Sequence, residues 1–359
     1  MRLVNSLTTI AVTICLFLTT ADAGSDVTRS SSMEPDSLEN EIITRALAYV
    51  YIDSFRTAIG ELDRLKETRP DYWPATVIKA GIIYTEMTDD ERYDREDHFK
   101  ALIDSSLNGL EKHLETNPDD IWAEFFKATA MGYRAVWEGT QGSWLKAVVK
   151  GLKAGGVFAE IIKQDTLFYD AYLGVGTLHY WRSAKMGIMR SLPFIADKRE
   201  QGIREIRLAM EKGRYSKIPA ALGLCWIYID RHQYAETYAL ANRLVKEGNA
   251  GRQVLWPRAI AAFNLHRTAD TIRNFELIKQ GLLRKGGQNY YNISICDYCL
   301  GVAHFWKGDY VISLKYFNDV LDRDYEPAIA KKLSEKFKAA EDYKKKIKKQ
   351  VARNLQNDK

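Results

Sequence analysis

Pairs of small residues recur along the chain at nearly constant spacing, and this pattern constrains the fold more than any other feature. The first residue of each pair is Ala46, Ala80, Ala128, Gly176, Cys225, Ala259 or Gly301. The second residue is Ala58, Ser106, Ala154, Gly202, Thr237, Thr271 or Ser313. From the second residue of one pair to the first of the next, the distances are 22, 22, 22, 23, 22 and 30 residues. Small side chains let two helices approach closely, so the pattern predicts a series of tightly packed helix pairs.

The stretch "YCLGVAHFWKGDYVISLKYFNDVLDRDYEP", residues 298–327, shows one such pair clearly. It reads as two short amphipathic helices that fold back on each other at the turn "KGDY". With Gly301 at position 8 it resembles a tetratricopeptide repeat (TPR), which has small residues at positions 8 and 20 and a bulky residue at 24. The resemblance implies an all-α, TPR-like α-solenoid of about seven helix–turn–helix repeats with extended central repeats. The repeats lie near residues 39–72, 73–120, 121–168, 169–217, 218–251, 252–293 and 294–327.

The second, third and fourth repeats are longer than the others. Within them the two small residues stand 26 residues apart, against 12 in the other four repeats, so each carries a 14-residue extension. Fourteen residues make close to four helical turns, so helices that are lengthened together would keep their faces in phase. Loops of equal length are the alternative, and Pro193 in "SLPFIADKRE" indicates at least one break.

Residues 169–210 resemble a second and narrower group, the tetratricopeptide repeat 39 and mitochondrial inclusion-clearance proteins. In that family a Leu-Pro segment and an Asp-Arg-like pair precede a "GI…L" pattern. Leu192-Pro193 and the run from Asp197 to Arg199 stand in those places, whereas Ala196 replaces the family's glycine before the acid. This resemblance implies an outer-membrane-associated repeat scaffold that is not an enzyme.

The N-terminal region reads as an export signal followed by a leader. One cation, Arg2, precedes an apolar run at about residues 10–18 that is too short to span a bilayer of about 30 Å. Small residues end at Ala23, which predicts cleavage there, with an uncleaved anchor as the alternative. Residues 24–38 are polar and aperiodic, which predicts a flexible leader before the repeat domain at 39–330. We expect an exported protein, periplasmic or secreted, that could lie against a membrane.

Positive charge is concentrated at the C-terminus. Residues 331–359 carry eleven cations and four acids, so the rest of the chain is close to neutral although the total net charge is +5. The run "KKKIKKQVARNLQNDK" predicts a basic capping helix or tail, since terminal repeats need a polar outer face. Weak attachment to an anionic membrane surface is a further use of this tail. Nucleic acid is not an expected partner, because an exported protein seldom meets it.

No motif for catalysis, metal binding or cofactor binding stands out. The six histidines are scattered, and no HExxH, GxSxG or phosphate-loop pattern occurs. Cys296 and Cys299 in "CDYC" fall inside a predicted helix, which favours buried thiols over a local disulfide or a metal site. The acidic run "TEMTDDERYDREDHF", residues 85–99, predicts a solvated, salt-bridged helix face rather than a cation site. We therefore expect a non-enzymatic protein without cofactors.

Aromatic side chains recur at the positions that form the inner, concave wall of TPR domains. With nearby arginines they predict a groove for a protein or peptide partner. The candidate partner-binding residues are Tyr133, Arg134, Trp137, Tyr180, Trp181, Arg182, Trp226, Phe263 and Trp306. Met186, Met189 and Phe194 would add adaptable apolar contacts beside the extended repeats. The alternative function is a carrier of an apolar or lipid ligand in a cavity there.

Overall fold

A computed structural model describes residues 32–185, 197–284 and 290–357. The predicted signal peptide, the Leu192-Pro193 segment and the apolar residues Met186, Met189 and Phe194 lie outside the described residues. The described ranges hold fifteen helices and no strand. Within the same ranges, no helix has the length and apolar character needed to cross a membrane. The predicted all-α fold is confirmed.

The helices follow one another in seven pairs, and one further helix ends the chain. Their bounds are α1 Ser37–Val50, α2 Phe55–Thr68, α3 Trp73–Asp90, α4 Glu96–Thr116, α5 Ile121–Thr140, α6 Trp144–Gln164, α7 Ala171–Lys185, α8 Arg199–Lys212, α9 Lys217–Asp230, α10 Tyr234–Lys246, α11 Arg252–Asn264, α12 Thr268–Arg284, α13 Tyr290–Lys307, α14 Tyr310–Leu321 and α15 Pro327–Asn357. Short connections make neighbouring helices antiparallel.

The described residues divide into two compact units. The N-terminal unit comprises residues 32–88, 93–185 and 197–227, and the C-terminal unit comprises residues 89–92, 228–284 and 290–357. In the N-terminal unit α1 packs on α2, and the helices from α4 to α8 pack each on the next. In the C-terminal unit the helices from α10 to α15 do the same, and α15 also packs on α13. Each unit is therefore built from consecutive helical hairpins.

The predicted small residues are the points where paired helices touch. A Cβ atom placed on Gly202 would come within 2.5 Å of the Gly176 carbonyl oxygen, and one on Gly176 within 2.7 Å of the Gly202 carbonyl oxygen. In the last pair, Ser313 Oγ donates a hydrogen bond of 2.7 Å to the Gly301 carbonyl oxygen, inside the core. Backbone meets backbone in one repeat and a short hydroxyl meets backbone in the other, which explains why both positions must be small.

The turn inside a hairpin repeatedly contains one residue in the left-handed backbone conformation. These residues are Asp53, Gly142, His232, His266 and Gly308, with φ values of 62°, 78°, 58°, 54° and 84°. Only two of them are glycine, so the remaining three side chains occupy a conformation that most residues avoid. The same backbone reversal therefore recurs in repeats whose sequences differ.

The extensions of the second and third repeats are helical. Among the unextended repeats, α2, α10, α12 and α14 each begin three residues before the second small residue, whereas α4 and α6 begin ten residues before it. The partner helices α3 and α5 are also long, at 18 and 20 residues against 14 in α1. Each 14-residue insertion is thus divided between the two helices of a hairpin, about two turns each. In the fourth repeat much of the extension lies outside the described residues.

Two differences from the sequence predictions concern connections. Residues 32–36, assigned to a flexible leader, hold defined contacts, and α1 starts at Ser37 with a capping box between Asp36 and Glu39. The long loop expected between the sixth and seventh repeats is mostly helix, because α12 continues to Arg284 and α13 already begins at Tyr290. Helix extension satisfies the backbone hydrogen bonds that a loop would leave to water.

The basic C-terminal segment forms α15, a helix of 31 residues. Leu333, Ala340 and Ile347 are buried on one face, and the Tyr343 ring stacks on Phe317 with centroids 5.3 Å apart. The lysines are mostly on the opposite, exposed face. The long helix therefore covers the apolar side of the last hairpin and turns a charged face outward.

We predict that Gly202→Ala lowers the free energy of unfolding by about 1–3 kcal/mol or more, because its methyl group would overlap the α7 backbone. Gly60→Ala on α2 is the matched control, since nothing lies within 4 Å of its added Cβ. Its higher helix propensity should leave stability unchanged or raise it by up to about 1 kcal/mol. Urea unfolding followed by circular dichroism measures both, and equal behaviour of the two variants would contradict the packing argument.

Candidate functional site

Three of the predicted partner-binding residues are buried in the N-terminal unit. Tyr133 lies against Gly81, where an added Cβ would come within 2.3 Å of the tyrosine hydroxyl oxygen. Trp137 packs on the rings of Phe99 and Tyr93, with centroids 5.4 and 5.8 Å away. Tyr180 is fully buried beside Gly202. The structure uses these three side chains to pack helices together.

Four other candidates in the N-terminal unit reach the surface. Trp181 and Trp226 are half-buried, and Arg182 is exposed. Arg134 donates a hydrogen bond of 2.6 Å to Asp104 on α4 and remains partly exposed. Exposed ion pairs of this kind contribute little to stability, so the Arg134 side chain is available for other contacts at low cost.

The last two candidates, Phe263 and Trp306, lie together in the C-terminal unit. Their ring centroids are 4.9 Å apart, and the His266 ring lies 4.5 Å from Trp306 on the other side. His266 occupies the left-handed turn between α11 and α12, which places its exposed ring against Trp306. We call Phe263, His266 and Trp306 the aromatic cluster. Phe263 and Trp306 are half-buried, so the cluster presents part of its ring surface to solvent.

The N-terminal segment, residues 32–36, is held across the N-terminal unit by polar contacts. The Met33 amide donates a hydrogen bond of 2.7 Å to Asp120 Oδ2, and the Met33 side chain is buried. Arg69 donates a hydrogen bond of 2.8 Å to the Ser32 carbonyl oxygen. Asp120 also caps α5 through Oδ1 and contacts His113 Nε2 at 2.8 Å. One carboxylate therefore joins the segment, a helix start and a histidine.

Arg214, in the connection between α8 and α9, makes the most contacts with this segment. It donates hydrogen bonds of 3.0 Å to Glu34 Oε1, 3.0 Å to the Pro35 carbonyl oxygen and 3.2 Å to Asn40 Oδ1. Its guanidinium also lies over the Trp122 ring, 5.2 Å from the centroid. The connection itself is fixed because buried Asp170 accepts the amide hydrogens of Arg214 and Tyr215. Burial raises the pKa of the Asp170 carboxyl. Sequence inspection missed Arg214, since nothing local marks a lone arginine in a connection.

An open cavity of about 450 Å³ lies beside these contacts. It is bounded by Ser32 and Glu34, by residues 119–122, by residues 165 and 167–170, and by Lys212 and Arg214. Five carboxylates and two cations face it together with the rings at 122, 168 and 169. Asp120 and Asp170 are occupied by the hydrogen bonds already described, whereas Asp119 and Asp165 are exposed. The mixture suits a polar, charged ligand group better than a hydrocarbon chain.

The acidic run differs from its prediction. Asp89 and Asp90 are buried in the C-terminal unit, where Arg252, only 1% exposed, lies 2.6 and 3.0 Å from their carboxylate oxygens. The Asn292 side chain also donates a hydrogen bond of 3.3 Å to the Asp89 carbonyl oxygen. The expectation of a solvated helix face was wrong for these two residues, because a cation far along the chain pairs with them in the interior.

A second buried carboxylate, Asp297, lies within α13. It has no exposed surface and pairs with Lys279 on one oxygen and with Arg323 at 2.9 Å on the other. The neighbouring Cys296 and Cys299 are free, buried thiols, and desolvation raises the pKa of each. The described residues contain no cluster of His, Cys, Asp or Glu side chains suited to a metal ion. Buried thiols with raised pKa values are poor nucleophiles, so this region stabilises the fold.

Comparison with known proteins gives limited matches. No protein-family model matches the chain, and no curated protein matches it. Among solved structures, the chain is similar to a tetratricopeptide repeat protein from Parabacteroides merdae, with 15% identity over 84% of this chain and 97% of that chain and a TM-score of 0.37. The helical hairpins and their small-residue contacts give this chain a TPR-like, all-α fold. The narrower resemblance of residues 169–210 stays a prediction.

We predict that Arg214→Ala lowers the free energy of unfolding by about 2–4 kcal/mol, because three hydrogen bonds and a stacking contact are lost together. Arg204→Ala, at an exposed site on α8, is the matched control and should change stability by less than about 0.5 kcal/mol. Urea denaturation of both variants is the measurement. A loss in Arg214→Ala no larger than in the control would show that the N-terminal segment is not held by this arginine.

We predict a pH-dependent effect at Glu91, a partly buried residue with φ +47° in the C-terminal unit. Desolvation raises its pKa to about 7, Lys332 opposes the shift and Asp89 adds to it. The folded protein then binds more protons than the unfolded chain between about pH 4.5 and 7, so this group's contribution to stability falls as pH rises through that range.

Glu91→Gln removes this titration. Relative to the original protein, the variant should gain stability steadily from pH 5 to pH 8, by up to about 3 kcal/mol. Denaturant melts at several pH values measure the difference, with the exposed Glu335→Gln on α15 as control. A difference that is flat across this range, or that grows toward acid, would contradict the raised pKa.

Proposed function

We propose that the protein is a non-enzymatic helical-repeat scaffold that binds a protein or peptide partner. The observation that carries the proposal is the aromatic cluster in the C-terminal unit. Two residues chosen from sequence as partner contacts, Phe263 and Trp306, lie within stacking distance of each other, and a third ring, His266, extends the surface they form. Half-buried aromatic rings held by a rigid backbone are typical hot spots for partner binding.

The chemistry of the cluster favours an apolar or aromatic anchor on the partner. Neighbouring Leu265 is 37% exposed and adds aliphatic surface. The nearby cations Arg267 and Lys307 pair with Asp270 and Asp309 at 2.8 Å each, so the surroundings are charged but balanced. A ring or aliphatic side chain from a partner would replace water on the exposed faces without breaking these pairs.

Trp181, Arg182 and Trp226 extend the proposal to the N-terminal unit. Each reaches the surface from an odd-numbered helix, α7 or α9, of the hairpin series. Export to a periplasm or the exterior is part of the same proposal and rests on the N-terminal sequence. Contact of the basic face of α15 with an anionic membrane stays a further prediction, supported by its exposed lysines.

The carrier function has weaker support. The cavity in the N-terminal unit is lined mainly by charged groups, whereas a lipid chain needs an apolar enclosure. Native mass spectrometry after gentle purification tests this function: a retained lipid mass would favour the carrier, and a clean protein mass that stays unchanged after incubation with lipid would exclude it.

We predict that Phe263→Ala with Trp306→Ala abolishes capture of the partner in cross-linking pull-downs from envelope extract. The loss should be at least tenfold, because truncating hot-spot rings typically costs 2 kcal/mol or more, and about 1.4 kcal/mol corresponds to a factor of ten. Leu277→Ala, at a site 42% exposed on α12, is the matched control and should capture normally. Circular dichroism confirms that both variants are folded. Undiminished capture by the double variant would refute the assignment of the cluster.

A further inference from the structure

The first half of α6 carries an exposed row of aliphatic side chains. Leu145, Val148, Val149 and Leu152 are 85%, 54%, 53% and 39% exposed. Their spacing of i, i+3, i+4 and i+7 places them on one face of the helix, and we call them the α6 stripe. The other face of α6 is the one that packs, through Ala154, Phe158 and Ile161. The helix is therefore apolar on a face that the fold leaves uncovered.

The α6 stripe lies in the part of the helix that the extension adds. Counted back from the second small residue of the repeat, Ala154, its members stand nine, six, five and two positions earlier. In α4, which has the same extension, the corresponding positions before Ser106 are Asp97, Lys100, Ala101 and Asp104, and all four are exposed. The same places are thus solvent-facing in both repeats, yet polar in α4 and aliphatic in α6. Packing within the hairpin does not require aliphatic side chains there.

The charges beside the α6 stripe have one sign. Lys146, Lys150 and Lys153 lie along one edge of it, and the first acid of α6 is Glu160, eight positions beyond Leu152. Lys150 pairs with Glu138 on α5, whereas Lys146 and Lys153 are exposed. Two copies of the chain placed stripe to stripe would bring these lysines together, and like charges disfavour that contact. The surface therefore fits a partner that is apolar and carries negative charge.

We propose that the α6 stripe binds the surface of an anionic lipid bilayer. A leucine that is 85% exposed stands out from the surface and has no walls around it, so the partner must provide the enclosure. A bilayer interface does so without shape complementarity, taking aliphatic side chains into the acyl boundary while neighbouring lysines reach the phosphate groups. This function goes beyond protein binding, and it differs in site from any contact made by the lysines of α15.

Flotation with vesicles tests the proposal on the chain that starts at Gly24, which lacks the apolar N-terminal run. The probes are vesicles of phosphatidylcholine alone and of phosphatidylcholine with 30% phosphatidylglycerol. The test variant carries the α4 residues on α6: Leu145→Asp, Val148→Lys, Val149→Ala and Leu152→Asp. Because α4 holds those residue types at equivalent exposed positions, the variant should fold, and circular dichroism with urea melts confirms it. Lys345→Gln with Lys348→Gln and Lys349→Gln on α15 is the control for purely electrostatic attachment through the tail.

We expect the original chain to float with the anionic vesicles and to bind the neutral ones at least tenfold more weakly. The α6 variant should lose at least tenfold in binding to anionic vesicles, since a factor of ten is about 1.4 kcal/mol and four aliphatic side chains exceed that on transfer from water. The α15 variant should lose less than the α6 variant. Unchanged flotation of the α6 variant, binding lost only in the α15 variant, or a dimer in light scattering that the α6 substitutions dissociate would each overturn the proposal.

Discussion

Direct contact between the backbones of paired helices is the constraint on which the rest of the structure depends. At Gly176 and Gly202 two helices meet with no side chain between them, and at Ser313 a single hydroxyl bridges to the Gly301 carbonyl oxygen. Such contacts set the distance and crossing of each pair, because interaxial distance follows the size of the side chains at the crossing. The left-handed residue in the turn then reverses the chain at a matching place. Repeats with little sequence in common thereby acquire the same hairpin geometry.

A second kind of contact connects elements that are distant in sequence. Arg214 hydrogen-bonds to residues 174 to 180 positions earlier in the chain, and Arg252 pairs with carboxylates that follow α3. In a simple repeat array each repeat contacts only its neighbours, and stability is nearly a sum of local terms. Polar contacts of long range add cooperativity to each unit, because opening one hairpin leaves buried charges without partners. Both devices are guanidinium groups, whose fixed fork can serve several acceptors at once.

Sequence reasoning predicted the hairpins because the residues that create them are local and periodic. It left open whether the extensions were helices, and the structure lengthens both helices of a pair by about two turns, which preserves the facing of Ala154 and Phe158. It failed where a residue's environment is set from afar: Asp89 reads as a surface acid until Arg252 is placed beside it, and Met33 reads as part of a leader until Asp120 receives its amide. Among the candidate site residues, periodicity identified inward positions but could not separate buried Tyr133 from half-buried Trp306, since the two differ only in what neighbouring helices cover.

Every residue of α13 from Tyr291 to His304 is buried, and α12, α14 and α15 are the helices packed around it. The end of the polypeptide is consequently not the frayed end of the molecule. Backbone amides in this helix should exchange with solvent only after α15 has peeled away, and the carboxylate at its centre makes a partly opened state costly. A processive protease that grasps the lysine-rich end would meet its strongest resistance at the outset, so the protein is built to be degraded from elsewhere.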